Sequence, residues 1–218
     1  MRLPLLQGGL VVVALLGEVF WLAKRPSAGE AVFEPHSKIL EPALLCPWRQ
    51  PEADLRRFFP GATRWQSETR VLSGQLLELK RQLGRDPQPE ELALQIHRVF
   101  RGTDEVGAVL VRSVHGEYGA IEVVLALDLQ GTVAGLKLQR QREPAAITAA
   151  LTSPDWLGAF RGLRAADFAA AVPRLPAVPG EAQSSANAIA DGVRSLLILY
   201  QTARTGGAAG ASVQRHHP

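Results

Sequence analysis

The chain has 218 residues, of which 46% are apolar and 21% charged, a balance typical of one folded domain of medium size. The formal net charge is only +3 and no long run of Lys or Arg occurs, so the sequence argues against nucleic acid as a partner. Cys46 is the only cysteine, which excludes an internal disulfide, a cysteine-held iron–sulfur cluster and a cysteine-based zinc site. No metal site is predicted, and Cys46 is interpreted as a bystander thiol.

An apolar run at the N-terminus predicts a membrane anchor. Residues 3–23 are long enough to cross a hydrocarbon core as one helix. A cleaved signal peptide would have a shorter apolar core and a clear small-residue cleavage site, so we interpret residues 1–25 as an uncleaved transmembrane signal-anchor. Arg2 lies before the run and Lys24 and Arg25 lie after it, so charge alone does not orient the helix.

Two stretches are predicted to lie outside the folded domain. Residues 26–52 contain five prolines and are predicted to form an extended linker. Residues 203–218 are rich in Gly and Ala and are predicted to form a disordered tail.

The first regular pattern of the domain is helical. Leu72, Leu76, Leu79 and Leu83 recur at steps of three and four, which predicts a helix that stops at Gly84. The stretch "DPQPEELALQIHRVF" predicts a second helix, with a proline near its first turn. The earlier stretch "PGATRW" is interpreted as a turn that leads into the first helix.

Three alternating stretches follow: "VGAVLVRSV", "GAIEVVLALD" and "TVAGLKLQ". A short connection containing Asp and Gly joins the last two, so the three predict an antiparallel meander. Helical patterns return in "REPAAITAAL" and in "SPDWLGAF", where Ser153 is placed to cap the helix and Pro154 occupies its first position. This order predicts an α+β domain, an antiparallel sheet flanked by helices and preceded by one N-terminal transmembrane helix.

The stretch "GEAQSSANAIADGV", residues 180–193, precedes and enters a further helix. Ile189, Val193, Leu196 and Tyr200 fall on one helical face, which places residues 183–187 at the helix N-terminus. Unpaired backbone N–H groups there favour an anion, and the serines of this stretch could add hydroxyl donors. The alternative is that a serine is simply the N-cap of an ordinary helix.

No catalytic motif appears. The chain lacks a Gly-x-Ser-x-Gly elbow, a Walker loop and a His-Glu-x-x-His helix, and its acidic residues form no evident pair. An independent hydrolase or kinase is not expected.

Four stretches in this order, "FFPGATRW", "HGEYGAIEVVLALDLQGTVAGLKLQRQRE", "SPDWLGAFRG" and "GEAQSSANAIADGV", span about residues 55–200. Together they resemble the FMN-binding domain of flavin subunits in membrane ion-pumping quinone and ferredoxin oxidoreductases and of the membrane regulator of nitrous oxide reduction. The resemblance implies an FMN-binding-like domain at residues 53–202, held by one helix on the periplasmic side of the cell inner membrane. Its implied partners are the membrane and the protein subunits of a redox complex.

In that family the last motif reads Ser-Gly-Ala-Thr, and its Thr carries FMN through a phosphoester bond. The match places Gly180, Glu181, Ala182 and Gln183 on those four positions. A glutamine amide has no hydroxyl for a phosphoester, and the Glu181 carboxylate repels a phosphate. This match therefore excludes covalent FMN, whereas a shifted match makes Ser184 or Ser185 the acceptor.

Two further residues are implied by the resemblance. Glu143 falls where the family has a Glu after the third strand, and Trp156 falls in a Trp-x-x-x-Phe stretch. Trp156 either flanks an isoalloxazine ring or is a core aromatic. The family's glycine-rich segment is replaced by "PAAITAALT".

The resemblance leaves two functions open. The favoured one is an accessory or structural subunit of a membrane redox complex that has no covalent FMN and has lost its flavin. The alternative is an electron-transfer subunit that carries FMN non-covalently, or covalently at Ser184 or Ser185.

Overall fold

A computed structural model describes residues 46–206 and, for the backbone alone, residues 212–216. The predicted signal-anchor and most of the predicted linker lie outside these residues. Within the described residues, no helix combines the length and apolar character needed to cross a membrane.

One antiparallel sheet organises the described chain, and its strands follow the order β5-β4-β3-β2-β1-β6. The strands are β1 (Arg64–Val71), β2 (Ala93–Arg101), β3 (Asp104–His115), β4 (Ala120–Leu127), β5 (Val133–Arg140) and β6 (Ser212–His216). The predicted meander is confirmed as β3, β4 and β5. The α+β class is confirmed with it.

Six helices accompany the sheet in the described part of the chain. They are α1 (Pro51–Phe58), α2 (Leu76–Leu83), α3 (Ala145–Leu151), α4 (Pro154–Gly158), α5 (Phe168–Ala171) and α6 (Gln183–Thr205). Ser153 caps α4 as predicted, because its side chain accepts a hydrogen bond from the Trp156 amide. The predicted stop at Gly84 is also confirmed, since Gly84 ends α2 with φ +75°.

The helix predicted to begin near Pro89 is wrong. Pro89–Glu91 forms a single 3-10 turn, and the chain then continues as β2. Leu94 and Ile96 face the core beneath α6, whereas Val99 belongs to the core on the other face of the sheet. Because both faces are covered, apolar residues occur on both sides of the strand and their spacing imitates a helix.

The turn predicted in "PGATRW" is confirmed at Pro60 and Gly61, but the prediction that it leads into a helix is wrong, because the last residues of the stretch begin β1. This strand pairs with β2 along its whole length, from Arg64 opposite Phe100 to Val71 opposite Ala93. Its middle is polar but buried, and Ser67 Oγ lies 2.8 Å from Nδ1 of His97. A polar strand of this kind lacks the apolar alternation on which sequence prediction depends.

The described end of the predicted linker is packed onto the sheet. The Trp48 ring lies 5.7 Å from the Trp65 ring, and Trp48 Nε1 donates a hydrogen bond of 2.8 Å to Asp54. Arg49 Nε lies 2.6 Å from the Glu122 carboxylate, which belongs to β4. Residues 46–50 and α1 therefore cover the face of the sheet that carries the smaller core.

Two elements of the structure fall within the segment predicted to be a tail, residues 203–218. α6 extends to Thr205, and Ser212–His216 pairs with β1 as the sixth strand.

A buried ionic cluster ties the turn before β2 to the rest of the helix-side core. Glu91 is fully buried, and its carboxylate lies 2.6 Å from Arg85 Nη1 and 3.0 Å from Arg112 Nη2. Burial on its own would raise the pKa of Glu91, but hydrogen bonds from Arg85 and from the Gln88 amide, together with the Arg112 charge, lower it. The ionised form of Glu91 is therefore the one that the fold stabilises.

We expect Glu91→Ala to lower the unfolding free energy by about 3 to 5 kcal/mol at neutral pH, because it leaves buried arginine charge without its partner. Glu90→Ala removes an exposed neighbour and serves as the matched control, with a change of about 0.5 kcal/mol or less. Since the folded-state pKa of Glu91 is lowered, its contribution is complete above its ordinary value of 4.5 and is lost as the pH falls further. Chemical denaturation at several pH values should show the difference from wild type shrinking in acid; a difference independent of pH contradicts the ionic origin.

Candidate functional site

All eight residues nominated from the sequence are placed by the structure, and most gather around the N-terminal end of α6. They are Glu143, Trp156, Gly180, Glu181, Ala182, Gln183, Ser184 and Ser185. Ser185 and Glu143 both contact the turn between β3 and β4, whereas Trp156 and Gln183 border one small cavity. The predicted position of the helix N-terminus is confirmed.

The backbone at this end is already hydrogen-bonded within the chain. Gly180–Ala182 forms a 3-10 turn, in which the Ala182 amide donates to Pro179 O at 2.8 Å and the Gln183 amide donates to Gly180 O. Ala182 is the N-cap of α6 and no side chain caps the helix, so the serine N-cap interpretation is wrong. The 3-10 turn thus uses two of the N–H groups that an anion would need.

The hydroxyl and amide side chains in the first turn of α6 differ in their exposure to solvent. Ser185 is fully buried, and its Oγ accepts a hydrogen bond of 2.9 Å from the Glu117 amide. Gln183 is exposed, and its Nε2 donates to Asn187 at 2.9 Å. Ser184 is exposed. The Ser185 hydroxyl therefore holds the β3–β4 turn against α6. The Ser184 hydroxyl is the one that a ligand could reach.

The Glu143 carboxylate lies under the same turn. Its Oε1 accepts a hydrogen bond of 3.3 Å from the Tyr118 amide, while its Oε2 is buried and has no hydrogen-bond partner among the described residues. A Cβ atom at Gly116 would overlap Oε1 and would lie 2.6 Å from Cδ1 of Ile121. The absence of a side chain at Gly116 therefore leaves the space that the Glu143 carboxylate occupies.

Trp156 is a core residue. Its side chain is 2% exposed, and its ring packs edge-on against Phe160 with the centroids 5.0 Å apart. A cavity of about 230 Å³ lies beside it, bordered by Gln183 and by Pro- and Ala-rich chain. This volume is below the range of about 300 to 1,000 Å³ common for small-molecule pockets. Trp156 leaves no open ring face for stacking.

Sequence reasoning did not nominate the β3–β4 turn as part of the site, although Glu117 and Tyr118 contact two of the nominated residues. Gly116 N donates to Gly119 O at 2.8 Å, and Gly119 has φ +140°. Glycines at both ends of "GEYG" were the available signal for a tight turn. Its contact with Ser185, 68 positions away, carried no local signal.

We expect Gly116→Ala to lower the unfolding free energy by about 1 to 3 kcal/mol, because the added methyl group overlaps Glu143 and Ile121. Gly158→Ala is the matched control, since no atom lies within 4 Å of the added Cβ there. Adding Glu143→Ala to Gly116→Ala should recover part of the loss in thermal denaturation, because it removes one of the overlapping groups. Equal stability of the Gly116→Ala and Gly158→Ala variants would show that the carboxylate is not confined by the turn.

A scan against protein-family models finds none that matches the chain, and a comparison with curated proteins finds no match. The resemblance to the FMN-binding family therefore stays a prediction from the four stretches alone. The residues at the N-terminal end of α6 do not fit a covalently attached flavin at position 183, because that position provides an amide that is bonded to Asn187.

Proposed function

We propose that the chain is a membrane-anchored, FMN-binding-like domain protein that acts as an accessory, structural subunit of a membrane redox complex and carries no covalent FMN. One observation supports this proposal most directly. The Ser185 hydroxyl, which could have received a flavin phosphate, is buried and bonded to the β3–β4 turn, and the amides of Ala182 and Gln183 are hydrogen-bonded within the 3-10 turn.

The chemistry of position 183 supports the same conclusion. Gln183 occupies the position of the FMN-bearing threonine in the resembling family, and an amide forms no phosphoester. Its side chain is bonded to Asn187 along α6. A flavin phosphate would have to be held there without a covalent bond.

Charge and space also oppose a flavin at this end of α6. Glu181 lies exposed in the 3-10 turn, and two unit charges of the same sign about 4 Å apart repel by about 1 to 4 kcal/mol between bulk water and a protein surface. Trp156 is buried, and the cavity beside it is too small for a typical ligand. The scaffold is thus retained while the features needed for tight flavin binding are weakened.

The location is part of the proposal. The apolar run at residues 3–23 is the basis for a single-pass anchor in the cell inner membrane, with the domain on the periplasmic side. In this proposal the domain does not catalyse a reaction on its own. Its role is to bind other subunits of the complex.

The alternative, an electron-transfer subunit, draws support from two groups at this end of α6. Ser184 is exposed in the first turn and has a hydroxyl able to form a phosphoester. Glu143 Oε2 is buried without a hydrogen-bond partner among the described residues, so a ligand donor group could satisfy it.

Purification of the full chain from its native membrane tests both functions. We expect no blue-light absorption by flavin, together with co-purification of redox-complex subunits. Flavin colour that passes into the supernatant after acid precipitation supports the non-covalent carrier instead. Colour retained in the pellet overturns the proposal, and loss of that colour in Ser184→Ala but not in Ser185→Ala would locate the attachment.

A further inference from the structure

A second and larger cavity lies at the C-terminal end of α6. Its volume is about 430 Å³, which falls within the range of small-molecule pockets. It is bordered by the β4–β5 turn, by the chain before α5 and by the last turns of α6. At a rise of 1.5 Å per residue, the cavity lies roughly 20 to 30 Å along the helix from Gln183. An inference about this cavity therefore does not depend on whether a flavin binds at the N-terminal end of α6.

Two arginines border this cavity, and both are held by the same turn. Arg164 Nε donates a hydrogen bond of 3.1 Å to the Thr132 hydroxyl, and Arg204 Nη1 donates one of 3.0 Å to Leu129 O. Arg204 also lies over the Tyr200 ring, 5.7 Å from its centroid. Each guanidinium therefore has an anchored orientation and keeps further N–H groups for another acceptor.

The turn that holds them is itself well ordered. Asp128 Oδ1 accepts hydrogen bonds from the Gln130 amide at 2.9 Å and from the Thr132 amide at 2.8 Å. Gly131 has φ +78°, a conformation that glycine adopts at no steric cost, and its amide donates to Asp128 O at 3.0 Å. The guanidiniums are therefore pre-organised by their bonds to an ordered turn, which reduces the entropy lost when a ligand binds.

The charges at the cavity are unbalanced. Among the described residues, neither Arg164 nor Arg204 forms an ion pair, and no Asp or Glu borders the cavity. The nearby Asp167 carboxylate accepts from the Arg164 amide, and Asp128 accepts from amides of the turn. Neutral polar side chains complete the border, namely Gln130, Gln201 and Thr205.

One feature of the fold opposes an anion here. The last carbonyl groups of α6 and the negative end of its macrodipole lie at this end of the helix. Binding must therefore depend on the two guanidiniums, so loss of either one should weaken it strongly.

We propose that this cavity is a binding site for a phosphate-bearing ligand, whose phosphate is held between Arg164 and Arg204. Paired guanidiniums match the charge and geometry of a phosphate better than an ammonium group does. Leu197, Ala165 and Ala166 border the same cavity and provide apolar surface for the rest of the ligand. A soluble phosphate monoester and a phospholipid headgroup share this chemistry.

Calorimetric titration of the full chain in neutral detergent at low ionic strength tests the proposal. The probes are glycerol 3-phosphate, a monoester, and dihexanoylphosphatidylglycerol below its critical micelle concentration, a diester. We expect Arg164→Gln and Arg204→Gln each to weaken binding about tenfold or more, the effect of losing a hydrogen bond to a charged group. Arg174→Gln is the matched control, because it removes the same charge from an exposed position that does not border the cavity.

Tighter binding of the monoester indicates a soluble ligand, and tighter binding of the diester indicates a lipid headgroup; either supports the site if it depends on both arginines. Absence of binding for both probes up to about 10 mM overturns it, as does equal weakening by Arg174→Gln. Arg204→Lys keeps the charge without the planar fork and should give an intermediate loss, which separates recognition from any unfolding of the glutamine variants.

Discussion

The close approach of α6 to the sheet is the constraint on which both ends of this helix depend. Gly192 faces Val114 of β3 so closely that a Cβ atom there would overlap the valine side chain. Large apolar residues on either side of this contact, such as Ile189 and Leu196, are buried against the sheet. Because the helix is fixed at this distance, its first turn meets the β3–β4 turn at Ser185 and its last turns meet the β4–β5 turn at Arg204.

The two ends of α6 therefore differ in chemistry although they share one scaffold. At the N-terminal end, the Ser185 hydroxyl and two amides of the 3-10 turn are hydrogen-bonded within the protein, and a carboxylate, Glu143, lies buried nearby. At the C-terminal end, guanidinium groups are oriented but lack ion-pair partners within the described residues. The helix macrodipole favours an anion at the first end, yet the side chains favour one at the second. Side-chain charge and free hydrogen-bond donors outweigh the macrodipole, whose effect is about 0.3 to 1 kcal/mol at exposed sites.

The sequence was sufficient to predict elements whose pattern is local. The strands β3, β4 and β5 alternate, α6 repeats at three and four residues, and the Ser153 cap precedes a proline. It was insufficient for β1 and β2, because β1 is polar and β2 contributes apolar residues to both faces of the sheet. At the candidate site, the position of the helix N-terminus was predictable. The role of Ser185 was not, because it depends on a contact with Glu117, 68 positions away, which leaves no local pattern in the sequence. The arginine pair was missed for the same reason, since Arg164 and Arg204 come together only through the β4–β5 turn.

Residues 46–58 pack on the face of the sheet opposite α6, and this packing has a mechanical consequence. A pull on the chain N-terminal to Trp48 is resisted first by the Arg49–Glu122 pair and by the Asp54 contacts with Trp48 and Lys137. These contacts lie on the face that carries the smaller core, away from α6. Tension applied there would therefore load these contacts before it reached the helix or either of its ends.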